Sequence, residues 1–316
     1  MITPIRNHKS QEFDLFIAAL GYEKRAITVS QTVFPKIKKG VAIQFIERNV
    51  LNFQRNQSWY EQAKFEIVSK AGVGFTARIS EIIQTMDAQG NQLEIGIDIS
   101  SMSRPMIATL VHLLNGEGAK ANVTFFYSPA KFVAPSQEHS PITISEPVTP
   151  DFAGWYSDIS KPALAIVGLG YEYDYAYGIL EYLEPYDAWA FFPTGEDPQY
   201  DHKVWSINRD MINLIGKERI YTYRVDDPYD CFLRLESFLS HASAVGRPIL
   251  IPFGPKIFAL ISMVVAVGYL PNISVWRVSG DQSGEPVDRV PNGKIVEFSV
   301  AFTPNLKEEG QSTAGT

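Results

Sequence analysis

The chain has 316 residues, 45% of them hydrophobic and 20% charged, enough for two domains or one large one with a sizeable core. Its net charge of −7 is unevenly spread: residues 1–150 carry 15 Lys and Arg against 13 Asp and Glu, or +2, and residues 151–316 carry 13 against 22, or −9. That balance excludes nucleic-acid binding through bulk charge and leaves room for a local anion pocket.

No apolar run reaches the ~20 residues of a membrane helix, and the start MITPIRNHKSQEFD has no apolar leader, so no membrane association is expected. The single cysteine, Cys231, excludes an internal disulfide framework and a Cys-based zinc site. A reducing, cytoplasmic setting is the expectation.

In chain order, LFIAAL (15–20) is a short apolar strand and EKRAITVSQTVF a helix stopped by Pro35. GVAIQFIE (40–47) is the next strand. The stretch 58–72 opens on a Ser cap and closes on Gly72, which predicts a helix. A further helix ends at Gly90, LEIGIDIS (93–100) is a strand, and 104–118 is a helix with Pro near its start. NVTFFY (122–127) is a strand, followed by a proline-rich stretch holding one strand-like run, ITIS (142–145).

The second half repeats this grammar. Strands are expected at ALAIVGLG, DAWAFFPTG, RIYTYRVDD, PILIPFG and ISVWRVSG, separated by helices at 174–185, 203–218, 228–244 and 256–270. The last of these helices, apolar on all sides, fits a buried position. RVPNGKIVEFSVAF predicts a hairpin about Asn292-Gly293. The polar tail from Lys307 is expected to be disordered.

The spacing of landmarks is nearly constant. Gly21 to Gly170 is 149 residues, Arg104 to Lys256 is 152, Val123 to Val275 is 152, and Ile142 to Ile295 is 153. The expectation is a tandem duplication: an α/β protein of two Rossmann-like, doubly wound parallel-sheet units related by a pseudo-twofold axis. The divisions are 1–150, 151–306 with the C-terminal hairpin in the second unit, and the tail 307–316.

Ligands of such sheets sit beyond the carboxyl ends of the strands, where the strand order reverses. Two loops per half fall there: GYEKR (21–25) with GYEYD (170–174), and DISSMSR (98–104) with PFGPK (252–256). Ser100, Ser101 and Ser103 precede Arg104 at a helix start, where free amides and a guanidinium suit a phosphate. Asp98 could hold a ribose hydroxyl or cap its own turn. Gly254 allows close backbone approach and Lys256 adds positive charge, or the two make only a tight turn with a solvated lysine; Gly21, Arg25 and Gly170 are candidates as members of the GYE loops. Tyr22 and Tyr171 could stack on a base, and Glu23 and Glu172 could face the helix starts or merely cap them.

No GxGxxG or Walker loop is present, so NAD binding and ATP hydrolysis are disfavoured, and no cofactor is expected. The five histidines show no metal spacing. Arg234 and His241 form an R-x6-H pair, which lies on one helical face and is outside the context of a nuclease.

A strand and short loop, then a later strand whose small-polar loop ends in a basic residue at a helix start, resembles CRISPR-associated Rossmann-fold (CARF) sensor domains. Here SSMSR and FGPK stand where that family carries a Gly-rich loop of Thr-Lys type. The resemblance implies a defence-associated nucleotide sensor with both copies in one chain, binding a cyclic oligonucleotide across the twofold. Three readings follow. The first is a cytoplasmic binding protein for a nucleotide-like or phosphorylated small molecule. The second is a nucleotide-processing enzyme with Asp98, Glu23 or Glu172 as acid or base. The third is a structural subunit with a protein partner.

Overall fold

The computed structural model describes residues 2–44, 50–70, 74–88, 92–116, 120–134, 141–154, 159–172, 174–280 and 286–303. In chain order the first half runs β1 (Ile2–Pro4), β2 (Phe13–Leu20), α1 (Thr28–Val33), β3 (Ile37–Gln44), α2 (Phe53–Gln62), β4 (Glu66–Ser69), α3 (Gly74–Asp87), β5 (Leu93–Asp98), α4 (Arg104–Gly116) and β6 (Ala121–Tyr127). Then come β7 (Ile142–Pro147), β8 (Ala163–Gly168), α5 (Tyr175–Leu183), β9 (Asp187–Thr194), α6 (Pro198–Ile207), α7 (Arg209–Ile215), β10 (Ile220–Arg224), α8 (Pro228–Val245), β11 (Arg247–Pro252), α9 (Lys256–Val267), β12 (Ser274–Gly280) and β13 (Val296–Phe302). The expected tail from Lys307 lies outside the described residues.

The strands form two mostly parallel sheets, ordered β1-β13-β6-β5-β2-β3-β4 and β10-β9-β8-β11-β12-β7. Read from its β4 or β10 edge, each sheet is a doubly wound core that reverses direction beside its first strand: between β2 and β5 in one, between β8 and β11 in the other. Each core is followed at its far edge by one antiparallel strand, with β1 added beyond it in the first sheet. The two halves are built on the same strand order, in line with the constant offsets, which any two doubly wound domains of similar size would also show.

That antiparallel strand comes from the other half in both cases. β7 leaves the first half and pairs with β12, and β13 leaves the second half and pairs with β6 over its whole length. The hairpin expected at the end of the second unit is therefore corrected. Asn292 and Gly293 do make a turn, with Gly293 at φ +97° and Lys294 N donating to Asn292 Oδ1. The strand after that turn joins the first sheet. A buried bond between the Thr124 and Ser299 hydroxyls, 2.9 Å, pins it there.

Two helix expectations also change. The stretch 58–72 breaks at Lys64, which takes a left-handed φ of 59°, and its end becomes the edge strand β4. The single helix expected at 203–218 is two helices, α6 and α7, meeting at Asn208.

Apolar burial divides into three cores. One lies between the sheets, where α3 and α4 meet α8 and α9; Ile97, Met106, Val111, Leu235, Phe258 and Phe298 belong to it. The others lie on the outer faces, under α1 and α2 in the first half and under α5, α6 and α7 in the second. Residues Ile257–Ala266 of α9 are all buried, because this helix packs on α4, α8 and its own sheet at once. That accounts for its unbroken apolar sequence. Among the described residues, no helix is long and apolar enough to cross a membrane.

Candidate functional site

The loops that follow β2, β5, β8 and β11 meet at the carboxyl ends of the two sheets. In the first half, Gly21 lies against Ser101, and its carbonyl accepts a 2.9 Å bond from the buried Asn56 amide. Asn56 also bonds the Glu23 carbonyl, and the Tyr22 carbonyl accepts from Asn52 N, so the main chain of the GYE turn is held from α2 and the residue before it. Glu23 Oε2 accepts from Arg25 Nε at 2.7 Å and from Ser101 Oγ at 3.4 Å. Arg25 is only 6% exposed; it donates to Ser128 O and lies 5.9 Å from the centre of the Tyr127 ring.

Asp98 ends β5 with 2% exposure and accepts a bond from Ser100 N. Burial pushes its carboxyl up to about 6, against the pull of that bond and of Arg25 and Lys256. The Ser100 hydroxyl accepts from Ser128 N, and Ser103 Oγ accepts from Met106 N at the start of α4. The serines thus have partners already, Ser100 on the loop after β6 and Ser101 on Glu23, while Ser103 caps α4 as a serine in that place ordinarily does.

The second half repeats the skeleton. Asn208 Nδ2 donates to Gly170 O at 2.9 Å, matching Asn56 and Gly21. Gly254, at φ +70°, comes so close to Gly170 that a Cβ on Gly170 would overlap its main chain. Gly254 N donates to both carboxylate oxygens of Glu172, at 3.2 Å each. The Tyr171 ring packs edge-on to Tyr200, with centroids 5.2 Å apart.

The two basic helix-start residues cross between the halves. Arg104 donates to Pro252 O at 2.8 Å and Gly254 O at 3.1 Å, and pairs with Glu172 at 3.3 Å. Lys256 Nζ donates to Ser100 O at 2.7 Å. Each half's cation therefore closes on the other half's loop. Burial pushes the Lys256 amine down to about 7; Glu23 opposes this, while Arg25 and Arg104 add to it. Arg104 is not the free surface guanidinium that the sequence suggested. Its side chain is 27% exposed and its donors are engaged across the junction.

The segments that carry the exchanged strands run over this cluster. Lys131 N donates to Val290 O, Asn292 N to Pro129 O, and Ala130 bridges Pro291. One segment is tied to the first half by Lys24 N on Asp288 and Arg25 N on Arg289 O, and to the second by a Lys294–Glu196 ion pair. Two surface clefts, one lined by Lys161, Ser243 and Tyr269 and one by Asp174, Tyr177 and Asp210, do not include Arg104, Lys256 or the serine loop. Among the described residues, no three His, Cys, Asp or Glu side chains are placed to hold a metal ion.

The charged candidates Glu23, Arg25, Asp98, Arg104, Glu172 and Lys256 are thus brought together with the serine loop, held partly by one another and partly by Asn56, Ser128, Asn208 and Pro252, whereas the Tyr22 and Tyr171 rings pack on the outer cores of their own halves. Sequence reasoning missed Asn56 and Asn208, Tyr127, Ser128, Tyr200 and Tyr223. For the asparagines a signal existed, since they are 152 residues apart, the same offset as Arg104 and Lys256.

No family model matches the chain, and no curated protein matches it. Among solved structures it is similar to the cytoplasmic domain of a prokaryotic cation chloride cotransporter, at 8% identity over 85% of this chain and 96% of that one, with a TM-score of 0.24. A likeness that low carries no weight for function.

Proposed function

We propose that the chain is a cytoplasmic binding protein, a sensor for a phosphorylated, nucleotide-like molecule that engages the junction of its halves. The observation that carries this reading is the crossing of Arg104 and Lys256 onto each other's loops. Around them lie Arg25 and the acids Glu23, Asp98 and Glu172. Apolar packing holds two surfaces together as well as buried ion pairs do, or better. A buried ionic cluster at the strand ends therefore calls for a reason beyond cohesion, and such clusters gather at functional sites.

Phosphate oxygens are stronger acceptors for guanidinium and ammonium than the carbonyls that these groups now meet, although Arg104 also meets the Glu172 carboxylate, from which the ligand would have to take it. A ligand that took Arg104 and Lys256 from Pro252, Gly254 and Ser100 would loosen one half from the other. Binding would then be read out as a change in how the halves pack, which is what a sensor requires. A role in defence rests on the CARF resemblance.

Titration calorimetry with inorganic phosphate, mononucleotides and cyclic di- and tetra-adenylate tests the proposal. At least one nucleotide should bind, and Arg104→Ala and Lys256→Ala should each weaken it by about tenfold or more, with circular dichroism unchanged. If no ligand binds, or if binding ignores both substitutions, the reading falls.

One observation favours the enzymatic alternative: Asp98 at about 6 and Lys256 at about 7 sit near neutrality, where general acids and bases work best. Turnover of a nucleotide that Asp98→Asn abolishes would put this reading first.

A further inference from the structure

The two segments that cross between the halves form a paired strap at the carboxyl ends of the sheets. One continues from β6 through 129–134, and the other enters β13 through 286–295. Lys131 N donates to Val290 O and Asn292 N to Pro129 O, so the two segments hold each other. None of these residues is fully buried, and Val133, Val287 and Val290 are exposed, whereas β6 and β13 are buried along most of their length. Surface polar bonds, more than apolar packing, hold the strap down, and a segment of that kind opens more easily than the strands it continues.

Its hold on the first half is one short row of bonds. Asp288 Oδ1 accepts from Lys24 N at 2.7 Å, Asp288 Oδ2 accepts from Asn52 Nδ2 at 3.0 Å, and Arg289 O accepts from Arg25 N at 3.2 Å. On the second half it has the Lys294–Glu196 pair and the Phe132 ring, edge-on to Tyr171. Arg25 meets both segments. Its main chain donates to Arg289, and its guanidinium donates at 3.0 Å to the carbonyl of Ser128, the residue after β6. The seated strap is not free of cost. Ser128 is wholly buried, and its hydroxyl has no partner among the described residues, a loss that water let in by opening would relieve.

We propose that this strap is a gate on the first half's side of the ionic cluster, that it lifts from the GYEKR loop while both sheets stay folded, and that Asp288 is its latch. Arg25 is the cation that it uncovers. The seated strap is then an autoinhibitory contact, since a ligand entering there binds only the fraction of molecules that is open. Loss of the latch raises that fraction and tightens binding in proportion. The gate is added to the binding role proposed above, but its first test needs no ligand, so either can fail alone.

Butane-2,3-dione, which modifies accessible guanidinium groups, is applied to the full chain and to Asp288→Ala and Asn52→Ala. Mass spectrometry reads the rate at Arg25 against that at the exposed Arg55. Arg25 should react about tenfold faster in Asp288→Ala, which loses both latch bonds, and about threefold faster in Asn52→Ala, which loses one. Hydrogen exchange at the Lys24, Arg25, Lys131 and Asn292 amides should quicken with it, and exchange along the β6–β13 ladder should not. Equal reactivity of Arg25 in all three proteins overturns the gate. So does a gain that the ladder amides match, since Arg25 would then be exposed by unfolding of the sheet. A nucleotide that needs Arg104 and Lys256 yet binds Asp288→Ala no tighter than the parent would keep the binding role and overturn the gate. Arg25 labelling that follows the latch, with no nucleotide bound by any of the proteins, would keep the gate and remove the binding role.

Discussion

The two halves share a skeleton and differ in what they bury at its tip. In both, an asparagine amide holds the first glycine's carbonyl, and a basic residue at a helix start reaches into the opposite half. The first half buries Arg25 and Asp98, both nearly inaccessible, while the second encloses the Lys256 amine and brings two glycines into contact. The residues that set the loops' positions correspond between the halves, and those around them differ.

The sharpest way to break this comparison is at the paired glycines. A Cβ on Gly170 would overlap the Gly254 main chain, which has nowhere to go, whereas a Cβ on Gly21 would stand 3.1 Å from the Ser101 Cβ, which can shift. Gly170→Ala should lose about 3 kcal/mol or more in urea unfolding and Gly21→Ala less than about 1. Equal losses would mean that the two loops are packed alike.

Next in size is the acid-range pH response, which the second half does not share at this loop, since the position matching Asp98 at the 152 offset is the apolar Leu250 and Lys256, held near 7, responds only above neutrality. The folded value for Asp98, about 6, lies above its ordinary 3.8. Between the two, the native state keeps a proton that the unfolded chain has released, so stability falls as pH rises from about 4 to about 6. The full drop should be about 3 kcal/mol, at 1.36 per pKa unit. Denaturant unfolding of Asp98→Asn over that range should lack this limb. A limb that persists unchanged would assign it to other groups.

The smallest effect should be a symmetric one. Asn56→Ala and Asn208→Ala each leave a glycine carbonyl without its buried donor and should each cost about 2 kcal/mol. Matching losses, measured side by side, would confirm that the skeleton is shared. A loss confined to one half would show that the match is only geometric.

Much of this was legible in the sequence, for identifiable reasons. The alternation of apolar strands and amphipathic helices gave the fold class, and the glycines at strand ends gave the loops. Strand β4 was hidden because EIVS is short and none of it is fully buried, so it carries no strong period-2 signal. The break at Asn208 was hidden because its side chain serves Gly170, 38 residues away. The destination of β13 was hidden because burial patterns identify a strand without naming its neighbour. The state of Arg104 was hidden for a similar reason: its acceptors are main-chain carbonyls 148 and 150 residues distant, and any residue type presents a carbonyl.

The exchange of β7 and β13 also sets a timetable. On the ribosome, β6 emerges with one side ready for an antiparallel partner, and that partner is the segment Val296–Phe302. At translation speeds of about 5–20 residues per second, β6 waits on the order of ten seconds or more for its neighbour. Through that interval Val123 and Phe125 have an unclosed sheet edge beside them, the kind of surface that nascent chains pair with wrongly. The first sheet cannot close until Phe302 has been made, so the two halves mature together rather than in turn.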